Sequence, residues 1–312
     1  MYLLSNRICC VFFSQLIKPN KITINIINAF TDAGEGGNPA GVVYPADEFS
    51  SEVKQRIAAK VGLSETAFIS KSQSAEFKLD FFTPNKQIAH CGHATIATFS
   101  YLSQQGIVKG PKSSKETIDG NRDIYLKGEV AYMQQLAPKY FPLPHKSISE
   151  QDVLDSLRLQ KTDLLASHKP MPVNTGNSFM MIPVKDEATL KSINPDLSAI
   201  HQISEALDLI GYYPFTLETQ VRGRDAATRM FAPYYSIPEE AATGMAAGPL
   251  ACYLFDQLNI KKETMILEQG RLMPTPSPSE ILVELKLENG KISSLLAGGR
   301  AKVTRSIEIE LD

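Results

Sequence analysis

The stretch CGHATIATFSYL, residues 91–102, joins a compact polar knot to an alanine- and aromatic-rich helical run, and the chain carries this pattern twice. In TGMAAGPLACYL, residues 243–254, Gly244 falls under Gly92, Ala246 under Ala94, Tyr253 under Tyr101 and Leu254 under Leu102. Upstream, FTP at 82–84 echoes FAP at 231–233 with three residues of slippage. Apolar helices need a cover, and a duplicated half supplies one, with strands wrapped around each helix. The two glycine-bearing helix starts would then come near each other.

That placement has a chemical meaning. A helix N-terminus presents unpaired N–H groups and about half a positive charge, so it receives anions. Glycine there lets a ligand approach the backbone. Two such starts at one cleft would hold a carboxylate and stabilise an enolate-like anion developing beside it. Taken singly, either start reads first as a corner for close helix–sheet packing.

The surrounding pattern is mixed α/β. KITINIINAF alternates Ile22, Ile24 and Ile26 with polar neighbours, and EFKLDFF repeats the alternation with Phe77, Leu79 and Phe81, so both predict strands. Phe49, Val53, Ile57 and Val61 recur four apart and stop at Gly62, which predicts an amphipathic helix. Residues 106–123 are polar, with Gly106, Gly110, Pro111 and Gly120, and predict a loop. Asn289-Gly290 between two alternating runs predicts a hairpin, and VTRSIEIEL a separate final strand. Pro249 falls inside the second apolar helix and should bend it.

Composition closes several routes. A chain of 312 residues with net charge −2 and pI near 6.3 gives no reason to expect nucleic acid or a membrane surface as partner. Cys9, Cys10, Cys91 and Cys252 show neither CxxC pairing nor zinc spacing, which fits free thiols in a cytoplasmic protein. The apolar run at residues 8–13 is too short to span a membrane and lacks a cleavage site. Residues 1–20 are therefore read as an extension outside the fold. No GxxxxGK[ST], HExxH or helix-opening GxGxxG occurs.

The fragments INAFTDAGEGGNPAGVV, LSETAFI, FTPNKQIAHCGHATIA, RMFAPYYSIPEEAATGMAAG and EQGRLMPTPSPS…LLAGGRAKV occur in an order that resembles the PhzF-like family. That family belongs to the diaminopimelate epimerase-like superfamily and includes phenazine-biosynthesis isomerases. The resemblance runs from about residue 22 to 306. It implies an α+β fold of two pseudo-symmetric halves, each a rolled sheet around a central helix. The halves would comprise residues 21–145 with about 296–312, and residues 146–295. It further implies a homodimer that needs neither metal nor organic cofactor.

Carried over residue by residue, Glu65 matches the family's proton-shuttling glutamate. Burial can raise a Glu pKa towards neutrality, which suits that task. Without the match, Glu65 reads as an exposed residue in the first turn of a short helix capped by Ser64. His93 matches the site histidine that binds or orients substrate; His90 is off the motif and read as structural. Cys91 matches a thiol base of the epimerases, and a helix N-terminus would favour its thiolate. A Cys91–His93 hydrolytic dyad is rejected because neighbours at a helix start should diverge. Glu240 stands where members carry Asp, and Met245 replaces a substrate-bonding Ser. Asn38 matches a site-lining position, while Gly92, Thr243 and Gly244 are candidates for binding a carboxylate. Arg229 and Gly176 also match family positions, without a distinction between packing and contact. Two functions compete: a proton-transfer isomerase acting on a small carboxylate, and a non-catalytic binding or regulatory protein that keeps the cleft.

Overall fold

The computed structural model describes residues 21–311, so the expected extension at residues 1–20 lies outside the described residues. The chain opens with β1 (Lys21–Ala29), β2 (Asn38–Val43), α1 (Ser51–Val61), β3 (Thr66–Ser70), β4 (Phe77–Phe82) and β5 (Gln87–Ile88). Then come α2 (Gly92–Gln104), β6 (Lys112–Thr117), β7 (Gly120–Lys127), β8 (Val130–Leu136) and β9 (Lys139–Tyr140). A second series follows with α3 (Glu150–Leu157), β10 (Met171–Asn174), β11 (Ser178–Pro183), α4 (Glu187–Ser192), α5 (Leu197–Leu207) and β12 (Gly211–Thr216). It ends with β13 (Ala226–Thr228), α6 (Gly244–Asp256), β14 (Thr264–Gln269), β15 (Ser279–Glu288) and β16 (Lys291–Glu310).

Local sequence explains the outer elements. In β1, Ile22, Ile24 and Ile26 pack on one face with Ile57 and Ala58 of α1, while Ile27 and Ala29 enter the inner core. α1 starts where the Ser50 hydroxyl accepts from Val53 N–H, and stops at Gly62 (φ 69°), whose N–H donates to Ala58 O. A left-handed residue there costs glycine little. Phe77, Leu79 and Phe81 alternate inward along β4 as their spacing predicts.

The strands β1, β2, β3, β4, β6, β7, β8 and β16 form a closed barrel, sealed by antiparallel pairing of β1 with β16. From β16 the sheet continues through β15, β14, β13, β12, β11 and β10 to β9, and this part packs around α6. A hydrogen bond from Leu136 N–H to Thr175 O (2.9 Å) ties its far side back to β8.

The internal echo is structural as well. β4 runs parallel to β6 across α2, and β13 runs parallel to β14 across α6. β2 and β3 are likewise parallel across α1, as β11 and β12 are across α4 and α5. Both inner helices lack a solvent face: α2 buries all but Tyr101, Ser103 and Gln104, and α6 all but Met245 and Asp256. Full burial of a side chain such as Phe99, Leu102 or Leu250 contributes about 1.5–3 kcal/mol each. Removing the sheet from either helix would forfeit most of that. We propose to divide the chain accordingly, with residues 21–145 and about 296–312 in one half and 146–295 in the other.

Two sequence expectations are corrected. Residues 106–123 are not a loop: they contain β6 and enter β7, an antiparallel hairpin pairing Lys112 with Tyr125 through Thr117 with Gly120. The inward positions of β6 are Ser113, Lys115 and Thr117, so the two-residue period is present but its buried face is polar. The final strand is not separate either, since β16 runs unbroken through Gly298 and Gly299. A Cβ at Gly298 would lie 2.1 Å from Ala131 O, which explains glycine at that point. The Asn289-Gly290 turn before it is found as expected, and α6 continues through Pro249. No helix among the described residues is long and apolar enough to cross a membrane.

Candidate active site

The starts of α2 and α6 meet where the two halves touch: a Cβ built on Gly92 would lie 3.3 Å from Met245 Cγ. His93, in the first turn of α2 and 5% exposed, sits between two carboxylates from different halves. Glu65 Oε2 is 3.2 Å from its Nε2, and Glu240 Oε1 is 3.3 Å from its Nδ1. Cys91 Sγ approaches the same Nδ1 at 3.6 Å. Thus Cys91 and His93 converge, and the geometric ground for separating them does not hold.

Neighbouring strands deliver the remaining groups. Asn38 opens β2 and Glu65 immediately precedes the parallel β3, so both side chains reach the same edge of the barrel. The helical first-turn reading of Glu65 is therefore replaced by a buried residue at a strand entry, 8% exposed. Asn38 Nδ2 donates to Glu240 Oε1 at 2.9 Å and to Ala242 O at 3.0 Å. Thr243 Oγ1 donates to Glu240 Oε2 at 2.6 Å. The extra methylene of Glu240 is thus held from two sides rather than left free.

Gln269, at the end of β14, was not singled out in the sequence. Its Nε2 donates to Glu240 O (2.7 Å), its Oε1 accepts from Thr243 N–H (3.1 Å) and from Tyr213 OH (2.8 Å). The available signal was a polar residue at an inward strand position directly before Gly270, whose φ of 78° marks a turn. Arg229 is a packing residue: it pairs with Glu239 through Nε (2.8 Å) and Nη2 (2.9 Å), and Nη1 donates to Ile193 O (2.9 Å). That clamp fixes the residue next to Glu240. Gly176 lies in the β10–β11 turn beside Asn177, whose Nδ2 contacts Met245 Sδ at 3.6 Å.

Electrostatics reverse two expectations. Burial tends to lower the His93 pKa, but Cys91 and the neighbouring Glu240 and Glu65 carboxylates raise it well above the ordinary value. Burial tends to raise Glu65, but His93 and the Ser64 hydroxyl outweigh it, so Glu65 is held below the usual value rather than above it. Burial pushes the Cys91 thiol up, and Glu65 adds to this, against the opposing pull of His93. The helix start therefore does not yield the expected thiolate. His90 is held to about 3 by burial, then by Lys115 and Arg122.

Neither inner helix has a side-chain cap, so the Gly92 and Gly244 amides remain open to an anion. Both glycines also serve packing: a Cβ at Gly244 would lie 2.8 Å from Phe30 Cζ. Glu65, Cys91 and His93 bring donor atoms within 4.8 Å of one another, a set that zinc accepts. The imidazole nitrogens, however, face different partners, so one lone pair does not serve carboxylate and sulfur together.

Two rolled half-sheets, each around a buried helix, make a diaminopimelate epimerase-like fold. Comparisons narrow this. A family model described as "Phenazine biosynthesis-like protein" matches residues 27–306, and the chain belongs to that family. "Uncharacterized isomerase YfhB" of Bacillus subtilis (strain 168) is 31% identical over 284 residues, covering 88% of this chain and 91% of the relative. "Uncharacterized isomerase YddE" of Escherichia coli (strain K12) is 30% identical over 273 residues, covering 83% and 89%. The crystal structure of a Bacillus anthracis phenazine biosynthesis protein of the PhzF family superposes with a TM-score of 0.83 at 27% identity, covering 93% of this chain and 99% of that one. A hydroxyproline epimerase from Agrobacterium vitis shares the fold at a TM-score of 0.57 and 9% identity, covering 94% and 92%.

Proposed function

We propose that this protein is an isomerase that removes a proton from one carbon of a small carboxylate-bearing substrate and returns it to another. The observation that supports it most is His93 held between Glu65 and Glu240, one carboxylate from each half. The relatives named as isomerases support the same general class.

In this reading the Glu65 carboxylate takes the proton, and the electron pair left on carbon spreads into the adjoining π system and carboxylate. The His93 imidazolium donates a hydrogen bond to the developing anion, and the open amides of Gly92 and Gly244 hold the substrate carboxylate. Return of the proton from Glu65 to a second carbon completes the isomerisation and regenerates the base. Glu240, fixed by Asn38 and Thr243, holds the imidazole ring and orients substrate. Cys91 enters as a thiol, able to give a proton before it can take one. Met245, packed against the Gly92 backbone, limits substrate bulk. The protein acts in the cytoplasm as a homodimer, without metal or organic cofactor; light scattering of the purified chain tests the dimer.

Met245 lying against Gly92 favours a second reading, a binding protein without turnover. Incubation in D₂O with a panel of small cyclic and amino-acid carboxylates separates them. Deuterium should enter one carbon position of a substrate, and Glu65→Gln should slow this by about 10²–10⁴-fold. Unchanged exchange in Glu65→Gln would refute the assignment of the base. Tight binding of a compound with no exchange would favour the binding protein.

A further inference from the structure

Lys115 lies on β6 with no solvent exposure. Its Nζ donates to Thr95 Oγ1 at 2.6 Å, lies 3.2 Å from His90 Nδ1, and sits 5.2 Å from the centre of the Phe81 ring. Among the described residues no carboxylate stands within ion-pair distance of it. Lys54, by contrast, is also buried but meets Asp80 at 2.6 Å. An ammonium buried without a counter-charge is costly, so a structure that keeps one needs a reason.

Its contacts lead to the α2 start. Thr95 Oγ1 accepts from Lys115 and itself donates to Cys91 O at 2.6 Å. His90 is the residue before Cys91. One amine therefore grips the turn from both sides, through the residue ahead of it and through the helix behind it. The titratable and charged groups facing Lys115 are His90 and Cys91 before α2, Arg122 on β7, and Asp119 in the β6–β7 turn. From β4 it meets the Phe81 ring, and from α2 the Thr95 hydroxyl. Burial brings the Lys115 pKa down to about 7, with Arg122 assisting and Cys91 and Asp119 opposing. His90 stays neutral and accepts through Nδ1 in the tautomer that leaves that nitrogen bare.

We propose that Lys115 is the positioning residue of the reactive helix start, its buried amine fixing through Thr95 and His90 the turn that presents Cys91, Gly92 and His93. This rests on the reading of that turn as the catalytic centre. Lys115 touches no reacting atom; it acts through the turn it holds. Gain or loss of its proton near neutrality changes the grip on that turn, and so the arrangement at Cys91 and His93.

The test needs no substrate. Alkylation of Cys91 by iodoacetamide, followed peptide by peptide with mass spectrometry, and the imidazole ¹⁵N signals of His93 are measured between about pH 6 and 9. The full chain is compared with Lys115→Met and Thr95→Val. In the wild type the alkylation rate and the His93 signals should both carry an inflection close to neutrality. Lys115→Met should remove the inflection that the two readouts share, leaving only those of the Cys91 thiol and of His93 itself. Thr95→Val should displace the His93 signals and change the alkylation rate severalfold while the lysine remains. Wild-type rates, signals and pH profile in both variants would overturn the proposal. Should Lys115→Met fail to fold, Thr95→Val decides by the same criteria. Because these readouts are independent of turnover, a failed exchange assay counts against the isomerase reading and not against the positioning role.

Discussion

The pH dependence of stability offers a direct test of the Lys115 environment. Lysine in the unfolded chain titrates near its ordinary value of 10.5, whereas burial lowers Lys115 in the fold to about 7. Between these values the unfolded chain binds more protons than the folded one, so Lys115 makes stability rise with pH. At about 1.4 kcal/mol for each tenfold change in proton affinity, the full interval corresponds to roughly 5 kcal/mol. Most practical experiments reach only part of it, and about 3 kcal/mol should develop between pH 6 and 9. Urea unfolding of wild type and Lys115→Met across that range isolates the contribution, because the other lysines and tyrosines cancel in the difference. The range stays above the region where His90 titrates. Wild-type stability should rise against the variant as pH increases. A flat or falling difference would refute the claim that the amine is buried without a counter-charge.

Other outcomes follow from the same geometry. His93 is raised by Cys91, Glu240 and Glu65 against the opposing effect of burial, so its NMR titration midpoint should lie above that of a free histidine, near 6.5. Its contribution to stability is complete at acid pH and fades as pH rises through the folded midpoint; Glu65→Gln should lower that midpoint. Gly244→Ala should cost about 1–3 kcal/mol in urea unfolding, because the new methyl meets the Phe30 ring. Gly92→Ala should cost less, since the neighbour is the flexible Met245 side chain. Deuterium exchange into the substrate should survive treatment with EDTA; loss on chelation and recovery with zinc would instead assign a metal to Glu65, Cys91 and His93.

The parts that were legible in the sequence are those where apolar spacing and local caps agree. β1, β4, α1 with its Gly62 end, and the Asn289-Gly290 turn are of this kind. The repeat of a glycine-led apolar helix was also enough to suggest a doubled architecture. β6 escaped notice because its inward side chains are Ser113, Lys115 and Thr117, and a polar face hides the period. Motif resemblance singled out Glu65, His93 and Glu240, which the structure brings together around one imidazole. It could not supply the direction of the Glu65 pKa. That depends on a histidine from another element, and burial alone points the opposite way. Gln269 was similarly invisible as a site residue, because its partners Glu240, Thr243 and Tyr213 are gathered only by the fold.

The long strand β16 has a consequence for how the chain is made. Lys21–Ala29 pairs with residues 301–310, so the first barrel is sealed between the first and last strands of the fold. During synthesis β1 through β8 can emerge and collapse around α2, but β1 and β8 both lack their shared neighbour until β16 follows. Until β16 is made the nascent chain therefore exposes two unpaired strand edges, the kind of surface on which aggregation and chaperone capture depend. A ribosome stalled shortly before residue 291 would hold a chain that lacks only β16, with its barrel seam open. Closure of the first barrel waits for β16, which pairs with β1 and β8 and joins the second half through β15.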